Sequence, residues 1–129
     1  MSTYRLDKVF APKSVALVGA SPREGSLGRT VLRNLAEGGF QGRISLVNPR
    51  YPAIEGEPCV ATLADLDHVP DLAVVAVPPE AVPGIVGEAG RKGVSAAIIA
   101  TAGLGHGPHS LAEKARLAAA VRDAKQKAA

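Results

Sequence analysis

Two short stretches of this chain carry residue types able to hold an anion. The first is Gly19-Ala20-Ser21 followed by Gly25-Ser26-Leu27-Gly28, set between an apolar run and an amphipathic one. Glycine at 19 permits a tight exit turn, and glycines at 25 and 28 keep Cβ atoms away from an approaching ligand. Ser26 is placed to cap a helix that begins at Leu27. The free amides and partial positive charge of such a helix end attract a phosphate by ~0.3–1 kcal/mol. The second stretch is Asn48-Pro49-Arg50, at the end of "RISLVN". A carboxylate there would repel phosphate, whereas a guanidinium binds it through two parallel hydrogen bonds. A ribose lying beside this segment is therefore expected to carry a phosphate. The plainer alternatives are a glycine loop that only turns the chain and an Arg50 that is only a solvated charge.

The glycine loop is not the dinucleotide fingerprint G-x-G-x-x-G. Ser21 stands where the second glycine belongs, and three further residues separate it from Gly25. A nicotinamide site also wants an acidic residue at the end of the second strand, and Arg50 replaces it. Two cofactors fit the residues: coenzyme A with its 3′-phosphate, and the phosphorylated nicotinamide dinucleotide with its 2′-phosphate. The loop spacing counts against the second. Further along, Val77 and Pro78, followed by Pro79, make a rigid apolar ledge that can accept the flat face of an adenine, although proline is common at helix starts for other reasons. Thr101, Ala102 and Gly103 are expected to line the crevice where an extended ligand arm passes. His106 and His109 have no acidic partner near them in sequence and read as solvent-exposed. Cys59 reads as a small core residue, since no basic neighbour or helix end lowers its pKa.

These residues need a scaffold that brings strand ends together, and the hydropathy pattern supplies one. "SVALVG", "RISLVN", "DLAVVAV" and "SAAIIATA" read as strands, with "PCVA" a short and irregular one. The continuous apolar runs suit strands buried on both faces of a parallel sheet. "LGRTVLRNLAEGG" has Leu27, Val31, Leu32 and Leu35 at helical spacing, with Gly38 or Gly39 as its stop. Thr62 and Asp65 predict one short helical turn in "TLADL". Pro79 starts the next helix, with Pro83 in its first turn. Ser110 and Glu113 form a capping box for a last helix running to about Lys127, whose charges make a solvated face. Alternating strands and helices predict an α/β fold: a three-layer, Rossmann-like, doubly wound, mostly parallel sheet of about five strands with helices on both faces. In such a sheet ligands bind at the carboxyl ends of the strands, which is where the residues singled out above fall.

The 129 residues amount to one domain, spanning the whole chain, and the chain stops on a helix where a strand normally follows. That predicts either a piece of a longer multidomain protein or a minimal domain. The uncovered sheet edge leaves room for pairing with another copy. No apolar run reaches membrane-spanning length and the N-terminus has no apolar signal core. With its single cysteine the chain is expected in a reducing cytoplasm. A net charge of +3 gives a mild bias toward anions but is too small to argue for nucleic acid.

The order "FAPKSVALVGAS…GSLGRTVLRNL…LVNPR…DLAVVAVPPEAVP…GRKGVSAAIIATAG" resembles the N-terminal CoA-binding domain of the nucleoside-diphosphate-forming acyl-CoA synthetases, such as acetate–CoA ligases. These are relatives of the succinyl-CoA synthetase alpha subunit, and the same domain opens certain bacterial protein lysine acetyltransferases. The resemblance runs from about Leu6 to Gly105. It implies CoA or acyl-CoA as the bound cofactor. It makes Gly19-Ala20-Ser21 and Gly25-Ser26-Leu27-Gly28 the phosphate loop, Asn48-Pro49-Arg50 the motif beside the phosphorylated adenosine, and Val77-Pro78 the adenine ledge. Thr101-Ala102-Gly103 falls at the small-residue turn near the pantetheine arm, where many members carry serine in place of Thr101. In the family a further strand, a phosphohistidine domain and an ATP-grasp unit follow, and this sequence lacks them. The resemblance therefore implies a chain that holds CoA without forming the acyl phosphate, with ligase or acetyltransferase domains as the expected partners. No catalytic residue or metal ligand is assigned. The phosphorylated dinucleotide domain of an oxidoreductase and a non-catalytic CoA sensor remain the alternatives.

Overall fold

The computed structural model of the chain describes residues 11–100. The strands are β1 (Ser14–Val18), β2 (Arg43–Val47), β3 (Ala53–Ile54), β4 (Glu57–Val60), β5 (Leu72–Val75) and β6 (Ala96–Ile99). Two helices join them, α1 (Leu27–Glu37) between β1 and β2 and α2 (Val82–Lys92) between β5 and β6. Short 3-10 turns at Leu63–Asp65 and Pro79–Ala81 complete the set.

Six strands form one sheet in the order β3-β4-β2-β1-β5-β6, one more than expected. The extra strand is β3, two residues that pair antiparallel with β4; every other pairing is parallel. β1 lies in the middle, with β2 on one side and β5 on the other, so the strand order reverses beside it. This is the topological position at which an open α/β sheet leaves a crevice.

The register makes that crevice level. Val18 of β1 sits opposite both Val47 of β2 and Val75 of β5. Val47 in turn pairs with Val60, and Val75 with Ile99. All five parallel strands thus end in one row, and the next residues are Gly19, Asn48, Ala61, Ala76 and Ala100. Hydrogen bonds carry the ladder one step past the strand ends: Gly19 N to Val47 O (2.8 Å), Asn48 N to Val60 O (2.9 Å) and Ala76 N to Val18 O (2.8 Å).

The central strands are buried on both faces, as their apolar runs require. Val15 and Leu17 face one layer with Leu46, Leu72 and Val74, where Val31, Leu32 and Leu35 of α1 cover them. Ala16, Val18 and Val47 face the other, with Leu63 and with Ala89 of α2. β6 departs from expectation. Its Ala97, Ile98 and Ile99 are exposed, although "SAAIIATA" reads as a buried strand. Among the described residues β6 has a neighbouring strand on one side only, β5. The last helix expected from Ser110 lies outside the described residues.

At the opposite end of the strands, Arg43 and Asp67 form an ion pair at 3.0 Å, and His68 Nδ1 lies 2.8 Å from the same carboxylate oxygen. The His68 hydrogen bond, with the Arg43 guanidinium beside it, holds the Asp67 carboxyl below its usual range. Ser45 Oγ meets the far side of the ring at 3.4 Å. This cluster fastens the segment before β5 to β2 at the end remote from the crevice.

Candidate functional site

The loop leaving β1 is braced before it reaches α1. Ser21 Oγ accepts from the Arg23 amide (3.0 Å), and the Arg23 carbonyl accepts from both the Ser26 hydroxyl (2.7 Å) and the Ser26 amide (3.2 Å). Arg29 reaches back from the helix to the Pro22 carbonyl at 3.2 Å. Ser26 caps α1 as its sequence position suggests, accepting from the Arg29 amide at 3.2 Å. Its hydroxyl thus donates to the loop and accepts from the helix. The amides left for an incoming anion are those of the first helical positions, Leu27 and Gly28, which precede the internal ladder.

Two glycines make the loop's close approaches. Gly19 has φ +94°, and a Cβ built there would meet the Ala76 carbonyl oxygen at 2.3 Å. At Gly28 a Cβ would meet the Gly19 carbonyl oxygen at 2.0 Å. Helix, loop and β5 tip touch through main chain, so no side chain fits between them.

Asn48 staples the β2 end to this loop. Its side-chain amide donates to the Ala20 carbonyl at 2.9 Å, and its side-chain oxygen accepts from the Arg50 amide at 2.9 Å. The Cys59 thiol lies 3.6 Å from the Asn48 carbonyl. Cys59 is 9% exposed, and burial pushes its pKa up while the hydrogen bond to Asn48 opposes the shift. Cys59 is the chain's one cysteine, so its reactivity reads cleanly. Iodoacetamide is expected to alkylate it at least about tenfold more slowly in the folded chain than in denaturant. Equal rates, followed by intact mass, would place the thiol in solvent.

A cavity of about 810 Å³ lies across the strand tips. Gly19, Ser21, Ser26, Leu27 and Gly28 line it at the β1 tip and the start of α1, Asn48, Pro49 and Arg50 past the β2 tip, and Val77 and Pro78 past the β5 tip. Ten of the residues singled out by sequence are therefore brought together. Ala20 is not among the lining residues: it is fully buried in the core and contributes its carbonyl to Asn48. Gly25 turns the loop with φ +79° but does not line the cavity. Thr101, Ala102, Gly103, His106 and His109 lie outside the described residues.

The structure adds residues that the motifs did not indicate. Arg23 joins Arg50 as a second cation at the rim, and Tyr51 stands next to it in the lining. Thr62, Ile85 and Glu88 close the end formed by the 3-10 turn and α2. Among the described residues of the lining Glu88 is the one carboxylate, and none is a histidine or cysteine. Among the described residues no cluster of His, Cys, Asp or Glu is arranged to hold a metal ion. None of their helices is long and apolar enough to cross a membrane. The arrangement suits an elongated, anionic ligand held by main-chain amides and guanidinium groups, with an apolar end between α2 and the 3-10 turn.

Comparison with known proteins points the same way. The family described as CoA binding domain matches residues 13–129. An ADP-forming acetate–CoA ligase from Methanocaldococcus jannaschii is 43% identical over 100 residues, which is 78% of this chain and 14% of the relative. ADP-forming acetate–CoA ligase I from Archaeoglobus fulgidus is 42% identical over 98 residues, 76% of this chain and again 14% of the relative. Among solved structures, the apo form of the dinucleotide-forming acetyl-coenzyme A synthetase 1 of Ca. Korarchaeum cryptofilum superposes with a TM-score of 0.80 at 30% identity, covering 95% of this chain and 26% of that one. The matched part of the chain spans about one seventh of the length of these two curated relatives.

Proposed function

The chain belongs to the CoA binding domain family and is related to the N-terminal region of ADP-forming acetate–CoA ligases; on that premise we propose that the cavity across its strand tips holds coenzyme A or an acyl-CoA, read through the diphosphate and the 3′-phosphate. The observation that carries this reading is the cation at the β2 tip. Arg50 lines the cavity at the position where a nicotinamide site would present a carboxylate, and its backbone is fixed by Asn48. In this reading the diphosphate lies against the Leu27 and Gly28 amides, with Ser21 and Arg23 at its flank. The guanidinium of Arg50 takes the 3′-phosphate. The adenine enters between the Val77-Pro78 ledge and the 3-10 turn, and the pantetheine arm leaves toward Thr101, Ala102 and Gly103.

The chain's own part is binding. Among the described residues the lining offers one carboxylate, already hydrogen-bonded to main chain, and no imidazole or thiol. Acyl activation and transfer are assigned to other domains, those of an ADP-forming acyl-CoA synthetase or a protein acetyltransferase.

Titration calorimetry of the chain with CoA, dephospho-CoA and the phosphorylated nicotinamide dinucleotide tests the reading. CoA is expected to bind at least about tenfold more tightly than either of the others, as one charge-assisted contact to a phosphate requires. Equal affinities for CoA and dephospho-CoA would remove the 3′-phosphate from the recognition scheme. A preference for the dinucleotide would move the chain to a redox role.

A further inference from the structure

One end of the cavity is held in place by two charged side chains a single helical turn apart. On α2, Glu88 Oε1 accepts from the Leu63 amide at 2.6 Å and from the Ala64 amide at 3.4 Å. Four residues on, Lys92 Nζ donates to the Leu66 carbonyl at 2.7 Å. The 3-10 turn Leu63–Asp65 is thus bracketed by a carboxylate at its amide end and an ammonium at its carbonyl end. That polarity matches the orphan groups any short helical turn presents.

The turn is also anchored by apolar side chains. The Leu63 side chain is fully buried in the layer that also contains Ala89, the residue after Glu88. Asp65 ties the turn only to itself, accepting from the Thr62 amide (3.1 Å) and the Thr62 hydroxyl (3.0 Å). Leu63 and, beside it, the partly buried Leu66 set the turn's depth on that layer, and the Asp67 pair with Arg43 holds the chain just after it. Glu88 and Lys92 add the hydrogen bonds that tie the main chain of the turn to α2. Because Ala61 and Thr62 line the cavity from the turn, and Ala81 and Ile85 line it from α2, these two side chains also fix the gap between those walls.

We propose that Glu88 is a positioning residue for the heterocyclic base of the ligand: as hydrogen-bond acceptor for the turn, it sets the width of the slot between Thr62 and Ile85 into which a planar ring inserts. The proposal rests on the CoA reading above. The slot takes the base and not the phosphates, because the carboxylate repels anions while Arg23 and Arg50 attract them elsewhere along the lining.

The test uses the whole chain and four proteins: wild type, Glu88→Ala, Glu88→Gln and Lys92→Ala. Each is titrated with CoA, with adenosine 3′,5′-bisphosphate and with 4′-phosphopantetheine, which has no base. Glu88→Ala is expected to weaken CoA and the bisphosphate by the same factor, about tenfold, and to leave phosphopantetheine within about twofold. Glu88→Gln keeps an acceptor oxygen and is expected to recover most of the loss. Lys92→Ala, which frees the other end of the turn, is expected to show the same base-selective weakening in smaller degree. Unchanged binding in all variants would overturn the proposal, and so would equal weakening of all three ligands. If Glu88→Ala does not fold, the base selectivity of Lys92→Ala decides, and its absence overturns the proposal. Should the wild type bind neither CoA nor the bisphosphate, the functional reading fails and this proposal with it. Hydrogen exchange at the Leu63 and Ala64 amides of Glu88→Gln and Lys92→Ala then reports separately whether the turn is tied to α2.

Discussion

Gly28→Ala is expected to destabilise the chain by about 3 kcal/mol or more, a large part of the ~5–15 kcal/mol that holds a domain of this size together. The added methyl would stand 2.0 Å from the Gly19 carbonyl oxygen and 3.2 Å from the Ser21 amide nitrogen. Both are main-chain atoms of a loop tied to β2 through Gly19 N and through Asn48, so neither can swing aside as a flexible side chain would. Relief requires α1 to move away from β1. That uncovers Val31, Leu32 and Leu35 and breaks the cap geometry at Ser26. Gly84→Ala supplies the control. It is a helical glycine with nothing within 4 Å of its would-be Cβ, and the same change there is expected to stabilise by about 0.5–1 kcal/mol. Urea unfolding of the two variants beside the wild type checks the pair. Equal midpoints for Gly28→Ala and wild type would mean that the helix does not approach the loop as closely as described.

Arg50→Glu is expected to carry the largest effect on binding. Replacing a guanidinium by a carboxylate exchanges a charge-assisted contact for a repulsion, so CoA is expected to bind at least about a hundredfold more weakly. Arg50→Ala, which only removes the contact, is expected to cost about thirtyfold. Dephospho-CoA is the discriminating ligand: with Arg50→Ala its affinity should change by no more than about threefold, so that the preference for CoA disappears. The side chain is exposed and its fixed part is the backbone amide, so the melting temperature of both variants should stay within a degree or two of wild type. A uniform loss for both ligands would assign Arg50 to the diphosphate.

The crevice was readable from the chain because its floor belongs to strand ends. A parallel sheet whose strands end in one row puts Gly19, Asn48 and Ala76 side by side, so residues following apolar runs announce the site. The opposite wall carried no such signal. Glu88 and Ile85 lie in the middle of a helix, where periodicity indicates which face turns to the sheet but not how near the strand tips a side chain comes. Thr62 was legible as part of a capping box, and the box formed, but nothing local says that the turn borders a cavity. β3 was invisible for two reasons. It has two residues, and its turn to β4 uses Glu55 at φ +51° before Gly56 at φ +83°, where Asn or Asp would have signalled a tight hairpin. β6 shows the limit of hydropathy itself. An apolar run states what a segment would gain by burial and leaves open what covers it, and Ile98 at 44% exposure is uncovered.

The Asn48 staple has a consequence for how a ligand is measured. One side chain links the loop leading into α1 to the main chain that bears Arg50. Under the proposed binding mode, the amides at the start of α1 and the Arg50 backbone therefore keep one spacing, and the exposed guanidinium makes the remaining adjustment to the phosphate. Discrimination then divides between main-chain geometry, which is preset, and one side chain, which is not.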